Sequence, residues 1–443
     1  MIAPGRCRGP VQLSMTLLHR RSLLLSAVAA SAGAALPPAH AQFRVEISGV
    51  GATQIPIAIP KFRDEGKVPH PVSEIIRADL ERIGVFRGID TVAILDETAR
   101  PDMAEWKSKT ADLLLGGSVM RLADGRFDVR AKLWDVVRNK DLGGQSFVVA
   151  PGDLRQGAHR VADFVYETIT GEKGIFATRI AYVTKSGKSH SLRVADSDGE
   201  NGQVVITSMD PIISPAWSPN GQEIAYVSFH ERQKAVVWAQ TIATGARREI
   251  AAFRGSNSAP AWAPDGQSLA VTLTRDGASQ VYIVGRNGEN PRRVTNSASI
   301  DTEAVFTPDG KSLLFVSDRG GGPQIYRTSV SGGGAERVSF TGGYNISPAI
   351  SPDGRYLAYI SRQGGAFRVY LADLTGGTPA RALTDSSDDE SPSFAPNGRL
   401  IMYASRAQGR DVLMTTTLDG KVKSKLVSTT ADVREPVWGP FGR

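Results

Sequence analysis

The run Ser214-Pro215-Ala216-Trp217-Ser218-Pro219-Asn220-Gly221-Gln222-Glu223-Ile224-Ala225-Tyr226-Val227 decides the fold, because its pattern returns every 44 or 45 residues to the end of the chain. The later copies of the turn read Ala263-Pro264-Asp265-Gly266, Thr307-Pro308-Asp309-Gly310, Ser351-Pro352-Asp353-Gly354, Ala395-Pro396-Asn397-Gly398 and Gly439-Pro440-Phe441-Gly442. An apolar residue leads into each turn: Trp217, Trp262, Phe306, Ile350, Phe394 and Trp438. Five copies carry a second proline upstream (Pro215, Pro260, Pro348, Pro392, Pro436); the third departs, reading Glu303. A period of this length marks stacked or radial units. In such a turn proline pre-sets the first central dihedral and glycine accepts the exit conformation.

Each turn is followed by an apolar β-rich run (Ile224–Val227, Leu269–Val271, Leu313–Val316, Leu357–Ile360, Ile401–Tyr403), then by further short runs separated by Asn-Gly, Gly-Gly or Asp-Gly. Short β runs punctuated in this way are hairpins, and four strands per unit make a propeller blade. The strand Ile180–Val183 has no turn before it, and the last turn has no strand after it. From Ile180 to Arg443 is 264 residues, six units of 44. The two orphans should meet in one blade and close a ring without an open sheet edge.

Upstream of about Thr170 the period disappears. Val72, Ile75, Ile76, Leu80 and Ile83 share one helical face. A second helix opens at Asp153 as N-cap and carries Leu154, Ala158, Val161, Ala162, Val165 and Ile169 inward, with Gly171 as its C-cap. Strands are expected over 55–59, 113–119, 127–137 and 145–149, with Asp124-Gly125 a hairpin turn. The fold class is therefore mainly β, a six-bladed β-propeller over 173–443 preceded by a small mixed α/β domain over 42–172.

Residues 1–41 hold four arginines, no acid, the apolar run Leu23–Ala30 and Ala39-His40-Ala41 before Gln42. They read as a secretory signal cleaved between Ala41 and Gln42, with Met15 an alternative start and general secretion favoured over a twin-arginine route. Removing them lowers the net charge from +7 to +3 and takes away the one cysteine, Cys7. A thiol-free exported chain has no disulfide framework, and without a basic stripe nucleic acid is not an expected partner.

The chemistry motifs are sparse. His70, His159, His190 and His230 form no ligand pattern, so no metal or other cofactor is expected, and His159 reads as a surface or boundary residue on its helix. No Gly-x-Ser-x-Gly elbow appears and the sequence stops with the propeller, so no peptidase domain and no catalytic residues are expected. Asp196-Ser197-Asp198-Gly199-Glu200-Asn201 has calcium-loop spacing but Thr207 at the twelfth position, and reads as a hairpin turn. What converges is the short segment before each lead-in strand: the same phase in a ring means the same channel mouth. These segments contain Asn257, Asp301, Glu303, Asn345, Asp389, Glu390, Arg434 and Glu435, and six converging loops can supply the 20–30 residues of a protein interface.

The junction Gly171-x-x-Gly174-Ile175-Phe176-x-Thr178-Arg179-Ile180-Ala181-Tyr182-Val183, the run Ser214–Pro219 and the order of the two domains resemble the TolB family of the Tol–Pal cell-envelope system. The resemblance implies a monomeric, non-enzymatic adaptor in the periplasm, acting in outer-membrane integrity and invagination at division. It implies that the lipoprotein Pal binds the channel mouth, with Asn257, Ala259, Thr302 and Glu303 foremost and Asp301, Asn345, Asp389 and Glu390 beside them. TolA would bind the mature N-terminus, Gln42-Phe43-Arg44-Val45-Glu46-Ile47, whose alternation suits strand addition. The competing reading is a secreted hydrolase or lactonase with Asp301 and Asp389 in an acidic channel, with or without a cation.

Overall fold

A computed structural model describes residues 47–48, 54–229, 234–376, 378–426 and 431–442. The signal segment, its Ala41/Gln42 cleavage point, Phe43–Glu46 and His230 lie outside the described residues.

Six antiparallel sheets form the propeller, five of four strands and the last of five. Blade 1 takes its innermost strand from the C-terminus: Asp432–Trp438 pairs antiparallel with Arg179–Ser186, with Val433 opposite Thr184 and Trp438 opposite Ile180. The orphan ends meet as the repeat requires. Blades 2 to 6 begin with innermost strands Ile212–Trp217, Asn257–Trp262, Asp301–Phe306, Asn345–Ile350 and Asp389–Phe394. The body of each next strand is buried, as in Glu223–Ser228 and in the first six residues of Leu400–Ala407, because it lies between two neighbouring blades.

The turns between first and second strands interlock around the ring. Gly221 N–H donates to Ser218 O (2.9 Å), and the same bond recurs at Gly266, Gly310, Gly354 and Gly398. These five glycines have φ between 67° and 74°. A Cβ on Gly221 would stand 3.3 Å from Pro440, and one on Gly398 3.4 Å from Pro352. Each glycine thus abuts the turn proline of the preceding blade, which explains why the pair travels together in the sequence.

Before the propeller come β1 (Ile47–Ser48), β2 (Ile55–Ala58), α1 (Val72–Arg82), β3 (Phe86–Ile89), α2 (Met103–Ser108), β4 (Leu113–Arg121), β5 (Phe127–Asp135), β6 (Lys140–Val149) and α3 (Leu154–Thr170). One sheet runs β3-β2-β4-β5-β6, with β3, β2 and β4 parallel and β5 and β6 antiparallel. The expected apolar faces of α1 and α3 are buried apart from Ile169, which is half-buried, and Gly171 ends α3 at φ 73°. Asp153 precedes α3 in a 3-10 turn and makes no side-chain cap bond. Two short elements carry too little periodicity to be read in advance: β3, whose Gly88 abuts Arg77 and Glu81, and α2, capped by Asp102 Oδ1 accepting from Ala104 N–H (2.9 Å). A further correction concerns His159, which is fully buried, because α3 faces the propeller with that side as well.

Residues from Arg44 onward form one compact unit. A single apolar cluster runs from Ile57, Leu80 and Val165 through Ile175 and Phe176 to Met402 and Trp438. The junction motif has local reasons. Asp163 on α3 accepts the N–H of Phe176 (2.7 Å) and of Ala177 (3.1 Å), and a Cβ on Gly174 would fall 2.3 Å from that carboxylate. Trp438 is 5% exposed, and its Nε1 donates to Thr178 Oγ1 (2.9 Å), tying the closing strand to the junction.

Trp438→Ala should therefore destabilise the protein by about 3–5 kcal/mol, the range for deleting a large buried aromatic. Removing 433–443 should expose the edge of Arg179–Ser186 and lower the melting temperature further. Scanning calorimetry that finds the shortened chain melting like the intact one would show that this strand does not close the ring.

Candidate functional site

The channel mouth is built by one backbone device used six times. In each innermost strand one residue adopts the left-handed conformation: Ser214 (φ 53°), Ala259 (47°), Glu303 (51°), Ser347 (53°), Ser391 (51°) and Glu435 (49°). The strand pairing slips at these points, for example between Ser258 and Ala261 and between Thr302 and Val305. Each is a β-bulge, which re-aims a strand where a rim needs it. A non-glycine residue there costs on the order of 1–2 kcal/mol. Five of the six precede proline. In the third repeat the residue in the proline's place is Ala304, so the departure assigned to Glu303 belongs one position later; Glu303 itself is the bulge residue.

The bulges surround a channel of about 520 Å³ lined by Ala259, Pro260, Glu303, Ser347, Ser391 and Glu435 among others. Carboxylates reach from blade to blade across it. Glu303 Oε2 accepts from Ser347 N–H (2.7 Å), and Glu435 Oε2 accepts from Ser214 N–H. Burial raises the Glu303 carboxyl above its usual range, against the pull of the Ser347 N–H. Burial lifts Glu435 to about 7, opposed by the Ser214 N–H and reinforced by Glu390 and Glu303. Glu390 is raised by burial too, partly offset by Arg434.

The residues picked out in the sequence divide into two sets. Asn257, Asp301, Asn345 and Asp389 occupy one equivalent position, two residues before each bulge, and are 0–3% exposed. Their polar atoms bond inward, except Asn345 Oδ1, which is buried without a partner. Asn257 Nδ2 donates to the carbonyls of Ala235 and Phe253 (both 3.0 Å), and its Oδ1 accepts from Phe253 N–H (2.9 Å). Asp301 accepts from Arg319 (2.9 and 3.0 Å) and Ser297 (2.8 Å). Asn345 donates to Gln324 Oε1 (2.7 Å), and Asp389 accepts from Thr384 and Ser386. Placed as contact residues by their phase, these four hold the loops from beneath instead, since a fully buried side chain cannot touch a partner. Ala259, Thr302, Glu303 and Glu390 are only half-buried and remain at the mouth.

The same face carries three residues with large exposed apolar side chains: Met209 (64% exposed), Ile300 (53%) and Phe340 (74%). Phe340 escaped the sequence reading because it lies just upstream of the segment counted as rim, in a polar loop without periodicity. Of the N-terminal segment, the backbone of Ile47 and Ser48 pairs with Ser424 and Lys423, making a fifth strand on blade 6. Among the described residues no helix is long and apolar enough to cross a membrane.

Comparison with known proteins agrees with this architecture. Residues 166–442 match the family model described as TolB beta propeller domain, and residues 43–142 the TolB amino-terminal domain. A Polaromonas sp. (strain JS666) protein named Tol-Pal system protein TolB is 61% identical over 248 residues, 56% of this chain and 57% of that protein. The Bordetella pertussis protein of the same name is 51% identical over 272 residues, 61% of this chain and 62% of that one. These matches thus span about three fifths of each relative's length. The crystal structure of TolB from Acinetobacter baumannii superposes with a TM-score of 0.82 at 36% identity, covering 90% of this chain and all of that one.

The raised Glu435 carboxyl gives a test of the channel's electrostatics. An acid whose folded pKa lies above its unfolded value adds stability at low pH and loses it as pH climbs through about 7. Glu435→Gln keeps the acceptor for Ser214 N–H without the charge. It should stabilise the protein by on the order of 1–3 kcal/mol at pH 8, a gain that shrinks steadily below pH 7 and vanishes below the ordinary glutamate range. Equal denaturation midpoints for both proteins at pH 8 would contradict the buried-carboxyl assignment.

Proposed function

The chain belongs to the TolB family, and we propose that it works in the Tol–Pal system as a periplasmic, non-enzymatic adaptor. The observation that carries this is the exposure of Met209, Ile300 and Phe340 around a pre-shaped rim, on the face away from the α/β layer. Exposed apolar residues ringed by polar loops are the composition of a protein-docking surface. Pal docks on this mouth, with Ala259, Thr302, Glu303 and Glu390 at its centre and Asn257, Asp301, Asn345 and Asp389 fixing the loops beneath. The N-terminal segment 42–47 engages TolA by strand addition, an ability supported by the pairing of Ile47 and Ser48 with blade 6. Residues 1–41 serve as the export signal, and 42–172 and 173–443 are the working domain limits. Through these two partners the protein contributes to outer-membrane integrity and to invagination at division.

The two aspartates that the hydrolase reading would use are committed elsewhere. Asp301 is clamped by Arg319 and Asp389 by two hydroxyls, so neither faces the lumen as a free base.

Thr302→Arg places a bulky charge at the mouth at the cost of one hydrogen bond, from the Thr272 hydroxyl (3.3 Å), and Phe340→Glu removes the largest exposed apolar contact. Each should weaken Pal binding at least tenfold while the melting temperature moves by no more than a few degrees, as for other surface changes. Titration calorimetry showing undiminished affinity in both would place the Pal site elsewhere. Deleting Gln42–Ile47 should abolish TolA binding with the fold intact, and retained affinity would move that site.

A further inference from the structure

On the opposite face, where α1 and α3 meet blade 1, six charged side chains cluster, five of them buried and the sixth, Arg155, at the edge. Asp79 and Arg82 come from α1, Arg155 and His159 from α3, and Asp196 and Asp198 from the hairpin turn after strand Ser189–Asp196. Asp79, Arg82 and His159 are 0–1% exposed, Asp196 3% and Asp198 1%. His159 Nδ1 lies 2.5 Å from Asp79 Oδ2, and Arg82 Nη2 donates to Asp79 Oδ1 (2.8 Å) and to Ser197 Oγ (3.2 Å). Arg155 spans Asp196 Oδ2 (3.3 Å) and Asp198 Oδ2, and Gln156 Nε2 donates to Asp196 Oδ1 (2.7 Å). His159 Nε2 has no hydrogen-bond partner, yet points between Asp198 Oδ2 (3.7 Å) and Asp196 Oδ2 (3.8 Å).

Three carboxylates face two guanidiniums. A proton on His159 brings the sum to zero, and burying net charge is far costlier than burying a balanced set. Asp79, His159 and Asp198 could also be read as ligands for a divalent ion. The surroundings argue against it: the facing oxygens of Asp196 and Asp198 already receive Arg155, and an ion would displace the histidine proton and add positive charge beside two arginines.

We propose that His159, held as an imidazolium between Asp79 of the α/β layer and Asp196 and Asp198 of the propeller, is a proton-dependent clasp that fixes the two parts to each other. Titratable groups around it fit the same sense. Burial alone would lower the His159 pKa, but Asp79, Asp198 and Asp196 outweigh it and lift it to about 9. Burial also pushes Asp198 upward, and His159, Arg155 and Arg82 overcome it and hold the carboxyl below its ordinary range. One turn along α3, burial lifts Asp163 to about 7 against the N–H groups of Phe176 and Ala177. Glu200, in the same turn, is raised by burial, while His70 is lowered by burial and by Arg155. A histidine whose folded pKa lies above its unfolded value stabilises fully below pH 6.5, and the effect fades as pH rises through about 9. The clasp therefore holds at neutral pH and loosens in alkali.

The test uses the mature chain carrying His70→Gln, His190→Gln and His230→Gln, which leaves His159 as its only histidine and the cluster intact. Nitrogen-15 NMR of the ring should show both nitrogens protonated at pH 7.5 and a deprotonation midpoint near pH 9. Over that titration the protection factors of the Phe176 and Ala177 amides, corrected for intrinsic exchange, should fall at least tenfold. Asp79→Asn should lower the midpoint by about one pH unit or more; the first measurement stands without that variant. A neutral ring at pH 7.5, protection that ignores the titration, or displacement of the ring proton by added zinc would each overturn the proposal.

Discussion

The hydrogen-bonded pairing of Asp432–Trp438 with Arg179–Ser186 is the constraint on which the rest depends. An open array of six sheets would leave two exposed edges and two uncovered blade faces, and would tolerate any pitch. Closure removes both edges and fixes the angle between neighbouring blades. Only at a fixed angle can Gly221 lie against Pro440, and Gly266 against Pro219, so the turn prolines and glycines act as spacers around one rim of the ring. The closing strand also carries Trp438, whose indole bonds Thr178 at the junction. One strand therefore completes the ring and anchors the layer above it.

Strain at the mouth is a consequence of the same closure. Six left-handed residues converge on one channel, and such conformations persist only where the surroundings over-determine them. Here the over-determination is visible. Beneath the bulges, Asn257, Asp301, Asn345 and Asp389 tie the incoming loops to the blade interior. Across the bulges, Glu303 and Glu435 take the N–H groups of the next blade. The mouth is consequently pre-formed, and a partner docking there would not need to supply the energy to order it.

The repeat was legible because its physics is local: proline, glycine and an apolar lead-in each act within a few residues. Blade number and closure followed from counting, and the helix faces of α1 and α3 from period 3.6. The bulges were not legible, because Ser, Ala and Glu at those positions carry no signal for positive φ; pairing across the blade imposes it. Of the polar residues expected at the rim, Asn257, Asp301, Asn345 and Asp389 turn out to be buried, while Thr302, Glu303 and Glu390 stay at the mouth. Phase in the repeat gives the height of a residue along the channel, not whether its side chain turns toward solvent or into the blade. His159 was misplaced for a related reason: the apolar stripe of α3 faces its own sheet, and nothing in that period shows that a second face is buried in polar company.

The two faces of the propeller have accordingly come to differ. The turn face is filled, by Arg399 on Glu172, by Asn397 on the Lys173 carbonyl and by the buried charges around His159. Those contacts are directional and polar, and they register the α/β layer on the ring at one angle where apolar packing alone would allow sliding. Among the described residues nothing comparable covers the mouth face, which exposes Met209, Ile300 and Phe340. The α/β layer and the strand before it are seated on blade 1 and blade 6. Because β1 lies on blade 6 and the buried charges on blade 1, the two ends of that layer rest on adjacent blades. A change in the angle between those two blades would alter both seats at once.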